Sequence, residues 1–288
     1  QQQASKGRQI IMKISFSWLK QPSLYGMLII VALLSLFPFY WMYVIGSSDN
    51  SAIATIPPTI VPGNNWPANF AQITEMFNIW TVYRNSFIVA AVTALLQVFT
   101  STLAGFAFAK LRFRGNQALF GVVMVFLMIP LQLGIIPLYL LMSKLGLVDT
   151  LAALILPYVV SVFGVFWMRQ AMLSNVPSEL IDSGAVDGAG FFRIYWSLAL
   201  PLVRSSAFVL LLFTFLTAWN DFAWPLIITQ TPDNFTAQVA VSQLNSANNP
   251  SYPSILGGSL LMALPLIAMF IVTAKQFVAG VMDGAVKG

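Results

Sequence analysis

Six long apolar runs, separated by short segments that carry most of the charge, set the pattern of this chain. A helix that crosses a bilayer needs about 20 consecutive apolar residues. Residues 24–45 form the first such run, and 85–109, bounded by Arg84 and Lys110, the second. The third is about 118–141, between Arg114 and Lys144, and the fourth is 150–168, bounded by Asp149 and Arg169. The fifth is about 205–228, with Asp221 inside it, and the sixth about 255–274. Strands of a membrane barrel are shorter and alternate strictly; these runs are continuous. The pattern predicts an all-α polytopic membrane protein with six transmembrane helices within 24–282, an N-terminal segment 1–23 and a tail 283–288.

Composition strengthens this reading. Hydrophobic residues make up 58% of the chain and charged residues 8%, with a mean hydropathy of +0.80. Soluble domains carry roughly 25% charged residues. There is no cysteine, which removes disulfides, thiol catalysis and cysteine metal sites, and no histidine, the commonest general base and metal ligand. No catalytic constellation remains to suggest an enzyme. The net charge of +5 does not point to nucleic acid, because the basic residues gather on one side of the bilayer. With the N-terminus in the cytoplasm, that side holds Lys6, Arg8, Lys13, Lys20, Lys110, Arg112, Arg114, Arg169, Arg193, Arg204, Lys275 and Lys287. Only Arg84 and Lys144 fall outside. The positive-inside rule then places both termini in the cytoplasm. Of the outer loops, 46–80 is rich in Pro and Asn, and 229–254 is polar and long enough to reach a partner.

The segment 174–204, on the cytoplasmic side, is charged and punctuated by glycine. Pro177 suits the first turn of a helix, and Glu179 there complements the helix dipole. Gly184 and Gly188 are four apart, with Ala185 and Ala189 beside them. On a helix they predict a face of small residues over which another protein's backbone can approach. Gly188 and Gly190 break the helix and turn the chain. Phe191, Phe192 and Ile194 then open a second, apolar helix that returns toward the membrane, and Pro201 marks its join with the fifth span. A glycine packing motif inside the bilayer does not fit. Glu179, Asp182, Asp187 and Arg193 share this segment, and each charge would cost about 2.5–3.5 kcal/mol at the bilayer centre. An amphipathic interfacial helix suits 191–200 but not the acidic first half.

These residues resemble the EAA motif of ABC importer permeases: Glu-Ala-Ala, three residues, Gly, nine residues, then Ile-x-Leu-Pro. Here Asp182-Ser183-Gly184 stands for Glu-Ala-Ala, Gly188 for the glycine and Leu198-Ala199-Leu200-Pro201 for the end. Arg169-Gln170, Ala218-Trp219-Asn220-Asp221-Phe222, Trp224-Pro225-Leu226 and the ending Gly284-Ala285-Val286-Lys287-Gly288 are similar to the carbohydrate-uptake, MalG-like group of that family. The resemblance implies a type I ABC importer permease fold in a bacterial or archaeal cytoplasmic membrane. It implies a homologous second permease, two cytoplasmic ATPase subunits, an extracytoplasmic sugar-binding protein and a sugar substrate. ATP and Mg would sit on the partner ATPase. This chain has no GxxxxGK[ST] phosphate loop and is expected to carry no cofactor or metal of its own and to be a non-catalytic subunit. Within the loop, the resemblance makes Glu179, Asp182, Ser183, Gly184, Ala185, Asp187, Gly188, Ala189, Phe191 and Phe192 the contacts that couple to the ATPase. It also implies that 230–254 reaches the binding protein and that 283–288 touches the ATPases.

Polar residues inside the spans are the pathway candidates. Thr93, Gln97 and Ser101 fall four apart on the second span, beside Ala90, Ala94, Ala104 and Gly105, as either a pathway stripe or a packing seam. Gln132 lies between Pro130 and Pro137, where kinks are expected. Asn220 and Asp221 either line the pathway or cap a helix broken near Pro225. Trp219, Phe222 and Trp224 either stack on sugar faces or belong to the membrane interface. A glycerol-3-phosphate importer is the near alternative, but no Lys or Arg lies within the six runs. A secondary transporter would show buried ionisable pairs and repeated halves, and only Asp221 qualifies. The Gln238-Val239-Ala240 run and the tail resemble oligosaccharide permeases.

Overall fold

The computed structural model describes residues 22–245 and 251–285. Lys6, Arg8, Lys13, Lys20 and Lys287, residues 246–250 of the third outer loop and residues 286–288 of the tail lie outside the described residues. The described residues are helical, with no strand among them. In chain order the α-helices are α1 (Pro22–Gly46), α2 (Trp66–Met76), α3 (Ile79–Lys110), α4 (Asn116–Leu127), α5 (Ile135–Lys144), α6 (Leu151–Ile155) and α7 (Val162–Asn175). There follow α8 (Ser178–Val186), α9 (Phe191–Ile194), α10 (Leu200–Leu202), α11 (Arg204–Trp219), α12 (Ala223–Ile228), α13 (Ala237–Asn245) and α14 (Tyr252–Ala285).

Three helices are long and apolar enough to cross a membrane unbroken: Leu24–Gly46, Ile79–Lys110 and Tyr252–Ala274. They correspond to the first, second and sixth runs. The third and fourth runs are bent, the fifth breaks at 220–222 between α11 and α12, and a further corner precedes the fifth. Asn116–Leu127 and Gln132–Lys144 meet at 88°, Leu151–Tyr158 and Val162–Asn175 at 44°, and Phe191–Leu202 and Arg204–Trp219 at 80°. Counting each bent pair as one span gives up to six. Proline accounts for the position of the bends, because it removes an N–H and its ring crowds the preceding turn. Pro130 is extended at φ −61°, ψ 127° just beyond α4. Pro157 sits in the short 3-10 turn Leu156–Tyr158 between α6 and α7. Pro201 follows a π-helical turn over Tyr195–Ala199 and precedes the corner at Val203.

Helix α3 is the centre of the bundle and packs against α7 and α11. Association inside a bilayer depends on close packing of small residues, and the α3–α7 crossing uses it. A Cβ on Gly105 would lie 2.8 Å from the Met168 Cβ and from the Arg169 N, and one on Gly164 would strike the Ser101 hydroxyl. Gln97 Nε2 donates to Thr214 Oγ1 at 2.9 Å and ties α3 to α11. Such an interhelical bond contributes about 0.6 kcal/mol. Helix α4, by contrast, has no buried residue, and α1 exposes Leu28, Ile29, Leu33 and Leu34 along its outer side. These are the faces this chain leaves to lipid or to another subunit.

Two helices between the apolar runs were not foreseen from the apolar pattern. Helix α2 lies within 46–80, and α13 within 229–254. The described part of 229–254 is not a free loop. Ala237, Val239, Ala240 and Leu244 are buried in the same core cluster as Ile73 of α2, Val82 of α3 and Met262 of α14. The backbone N–H of Ala237 donates to Ser86 Oγ at 2.7 Å, and Asn85 Nδ2 donates to the Asp233 carbonyl at 2.7 Å. Polar residues near the start of α3 thus hold this segment onto the bundle.

Candidate functional site

The 178–202 segment forms two short helical arms and a turn. Val176 and Pro177 are extended, and α8 starts at Ser178, with Glu179 in its first turn. Its C-terminus closes in a Schellman motif. The Ala189 N–H donates to the Gly184 carbonyl at 3.0 Å and the Gly188 N–H to the Ala185 carbonyl at 3.1 Å. Gly188 takes φ +79°, the left-handed region where glycine has no Cβ penalty. The turn at Gly188 and the second arm opening at Phe191 stand where the sequence put them.

The small-residue face is different from the expectation. Gly184 is buried and points at the second arm, where a Cβ would meet Leu198 Cδ1 at 3.1 Å and Ile194 Cγ1 at 3.3 Å. Gly188 has open space around it. Gly184 therefore closes α8 onto its own neighbour and is not part of an outward docking face. Ile181, Ile194, Tyr195 and Ala199 join a core cluster with Phe106 of α3 and Met168 and Met172 of α7. Tyr195 adds a polar link, with its hydroxyl 2.7 Å from Thr102 Oγ1. Nothing in the sequence singled out this Tyr195–Thr102 pair, because a tyrosine in an apolar arm and a threonine in a span each look ordinary alone.

The outward side carries the remaining predicted residues. Glu179, Asp182, Ser183, Ala185 and Asp187 are exposed, and Ala189 is half-buried. Val186 is 87% exposed, Phe191 64% and Phe192 68%. Three large apolar side chains flanked by carboxylates stand on an element whose inner side is fully packed. Patches of this kind mark interaction sites.

The second polar cluster lies where α11 gives way to α12. Asn220 closes α11 and is exposed. Its Nδ2 donates to the Leu216 carbonyl at 2.8 Å, and its Oδ1 accepts from Gln238 Nε2 at 3.3 Å. The Asp221 carboxylate accepts from the Tyr158 hydroxyl at 3.4 Å. Asp221 directly precedes Phe222, the N-cap of α12, and is tied through Tyr158 to the turn between α6 and α7. Trp219 is only 2% exposed and stacks on Phe215 at 5.9 Å, while Trp224 is buried and donates its Nε1 to the Ala153 carbonyl at 2.9 Å. Neither indole is open to a sugar or an interface; of the three aromatics only Phe222 is exposed. Gln97 is buried at the α3–α11 contact, and Thr93 and Ser101 are buried with it, so this stripe is a packing seam. Gln132 is exposed at the α4–α5 bend, away from any partner named here.

Asp149, at φ 61°, ties the start of α6 to the segment after α12. Its Oδ1 accepts from the Gln230 N–H at 2.8 Å and its Oδ2 from the Thr231 hydroxyl at 2.7 Å, while Asn234 Nδ2 donates to its carbonyl at 2.7 Å. Burial pushes this carboxyl up, but the bonds from Gln230, Thr231 and Asn234 outweigh it and hold it below its ordinary value. The sequence showed Asp149 only as the boundary of a run.

Residues 97–275 match the family model of the binding-protein-dependent transport system inner membrane component. The chain is 35% identical over 263 residues to the lactose transport system permease protein LacG of Rhizobium radiobacter, covering 91% of this chain and 95% of that protein. It is 29% identical over 267 residues to the sn-glycerol-3-phosphate transport system permease protein UgpE of Yersinia enterocolitica, covering 89% and 94% respectively. Among solved structures, it matches a chain of a bacterial ABC transporter involved in the import of the acidic polysaccharide alginate. The TM-score is 0.73 at 20% identity, over 88% of this chain and 95% of that chain. That likeness is one of fold.

Proposed function

Because the chain belongs to the family of binding-protein-dependent transport system inner membrane components, we propose that it is the permease subunit of an ATP-driven sugar importer, with the 178–202 segment as its coupling element. The observation that carries this reading is the two-sided segment itself. Its inner side is locked to α3 by Tyr195 and Thr102, and its outer side presents Val186, Phe191 and Phe192. A partner ATPase docks on that outer side, with Glu179, Asp182, Ser183, Ala185 and Asp187 as polar contacts. Gly184, Gly188 and Ala189 shape the turn. Closure of the ATPase dimer on ATP and Mg moves the segment as one body, and α3, α7 and α11 follow because they share its core. The bent pairs supply hinge points for alternating access.

The remaining parts of the reading follow from the membrane. The three unbroken helices, the bent pairs 116–144 and 151–175, and α11 with α12 make six spans, and the basic residues put both termini in the cytoplasm. A homologous second permease covers part of the faces of α1 and α4 and completes the pathway. A sugar-binding protein delivers substrate on the outer side, where α2 and α13 stand. On the pathway, Asn220 and Gln238 are the hydrogen-bonding groups that face open space, with Gln132 at the other bend. The lactose permease relative supports a sugar as substrate. The glycerol-3-phosphate relative supports a phosphorylated solute as the second reading, and the absence of Lys and Arg at the Asn220–Asp221 break weighs against it. The bacterial cytoplasmic membrane is the location this reading requires.

Proteoliposomes test the assignment. The chain, its co-expressed permease and ATPase partners and the cognate binding protein should accumulate a labelled oligosaccharide only with internal ATP. Uptake that persists without the ATPase, or uptake of glycerol-3-phosphate with no sugar transported, would overturn it.

A further inference from the structure

A cavity of about 970 Å³ opens between the end of α3, the 111–115 turn, the start of α4 and the rear of α7 and α8. Lys110, Arg112, Arg114 and Arg169 line it, against the single carboxylate of Asp182. None of these cations forms an ion pair among the described residues. The turn that carries Arg112 and Arg114 is held in shape, because Asn116 Nδ2 donates to the Leu111 carbonyl at 3.1 Å and the Phe108 carbonyl at 3.3 Å. Arg169 is fixed from the other wall, with its guanidinium carbon 3.9 Å above the Phe120 ring and its Nε buried without a hydrogen-bond partner. Like charges gathered in one concavity repel each other, and a buried guanidinium N–H without an acceptor carries a desolvation cost. A bound anion relieves both.

We propose that this cavity is an anion site for a phosphoryl group, supplied either by the headgroup of an anionic phospholipid or by free phosphate. Arginine offers paired N–H donors that match phosphate oxygens, and basic pockets between helices on the cytoplasmic side suit lipid headgroups. The position fits: the cavity sits at the end of a membrane-length helix, beside α4, whose Leu119 and Val122 are exposed as acyl chains require. It borders the proposed docking face at Asp182, but Val186, Phe191 and Phe192 do not line it. An anion there bridges the end of α3 and the 111–115 turn to α7 through Lys110, Arg112, Arg114 and Arg169.

The test uses the full chain purified with its co-expressed partners, as wild type, as the Arg112→Gln/Arg114→Gln double variant and as Arg204→Gln. Arg204 is an exposed cation that does not line the cavity. Native mass spectrometry after reconstitution with phosphatidylglycerol and phosphatidylcholine reads lipid retention. Thermal protection by inorganic phosphate, in phosphatidylcholine alone, reads the soluble anion. The double variant should lose phosphatidylglycerol retention or phosphate protection roughly 30-fold in affinity, while Arg204→Gln matches wild type. Retention that resists millimolar phosphate identifies the lipid headgroup, and displacement by phosphate identifies the soluble anion; both support the site. Equal losses in Arg204→Gln and the double variant would mean unspecific surface charge and overturn it. So would binding that is undiminished in the double variant, or no anion binding by the wild type.

Discussion

In the 178–202 segment the large apolar side chains of Val186, Phe191 and Phe192 stand exposed, whereas at the 219–223 break Trp219 and Trp224 are buried and Asp221 is bonded within the chain. The first region displays apolar area that a soluble loop would hide, and much of the second is satisfied by its own neighbours. Both are interruptions of helix, and both contain residues that chemistry singles out. The first leaves its surface unfinished, and the second mostly completes itself. An interruption that leaves apolar area bare calls for a partner; one that closes its own hydrogen bonds is scaffold, apart from whatever polar group still faces out. At the break that group is Asn220 with Gln238.

The largest effect should come from wedging the first region apart. Gly184→Leu drives a side chain into Leu198 and Ile194, and overpacking of this kind costs about 1–3 kcal/mol. Uptake should fall to background while the chain still inserts, and hydrogen exchange of 178–202 should rise. Normal uptake with Gly184→Leu would mean that the two arms need not stay closed, and would remove the comparison's first half.

The break should respond differently at its two residues. Asp221→Ala removes the acceptor of the Tyr158 hydroxyl, and a buried donor left unsatisfied costs about 1–3 kcal/mol. The yield of assembled complex should drop, with uptake per assembled complex preserved. Asn220→Leu should do the reverse, keeping yield and lowering uptake per complex several-fold. Asp221→Asn should be milder than Asn220→Leu in uptake. Equal behaviour of the Asp221 and Asn220 variants in both readouts would erase the distinction between structural tie and pathway group.

How much of this was legible in the sequence depended on the kind of signal. Long apolar runs located the three unbroken helices of membrane length, since burial in lipid demands length. They did not show that the third and fourth runs are bent, although Pro130 and Pro157 stood in them; a proline announces a kink but not its angle. The turn at Gly188 was readable because only a left-handed residue with no Cβ fits there. The direction of Gly184 was not, because a small residue suits a packed contact within the chain as well as one between chains. Trp219 and Trp224 misled for a similar reason: indole serves core, interface and stacking alike. Asp149 and Tyr195 act through partners far along the chain, and no local pattern points to such pairs.

The smallest expected effect separates the outer scaffold from both regions. Asp149 is held below its ordinary pKa in the folded protein. Its stabilisation is therefore present above the unfolded carboxyl pKa and lost as pH falls through the folded value. Asp149→Asn should lower the thermal midpoint of the complex by about 2 °C at neutral pH, and the gap to wild type should close below about pH 4. A gap that stays constant with pH would show that the carboxylate charge plays no part.

The most direct measurement concerns the exposed apolar face. Phe191→Asp/Phe192→Asp places charge where a partner's apolar surface should sit, and leaves the inward contacts of Ile194, Tyr195 and Gly184 untouched. The tagged chain, co-expressed with its partners, is captured and the ATPase subunit that comes with it is quantified beside the second permease. Loss of two anchors at an interface centre weakens binding by about 2 kcal/mol or more each. The account predicts that the ATPase is lost while the second permease still co-purifies. Retention of the ATPase at the wild-type ratio would contradict it.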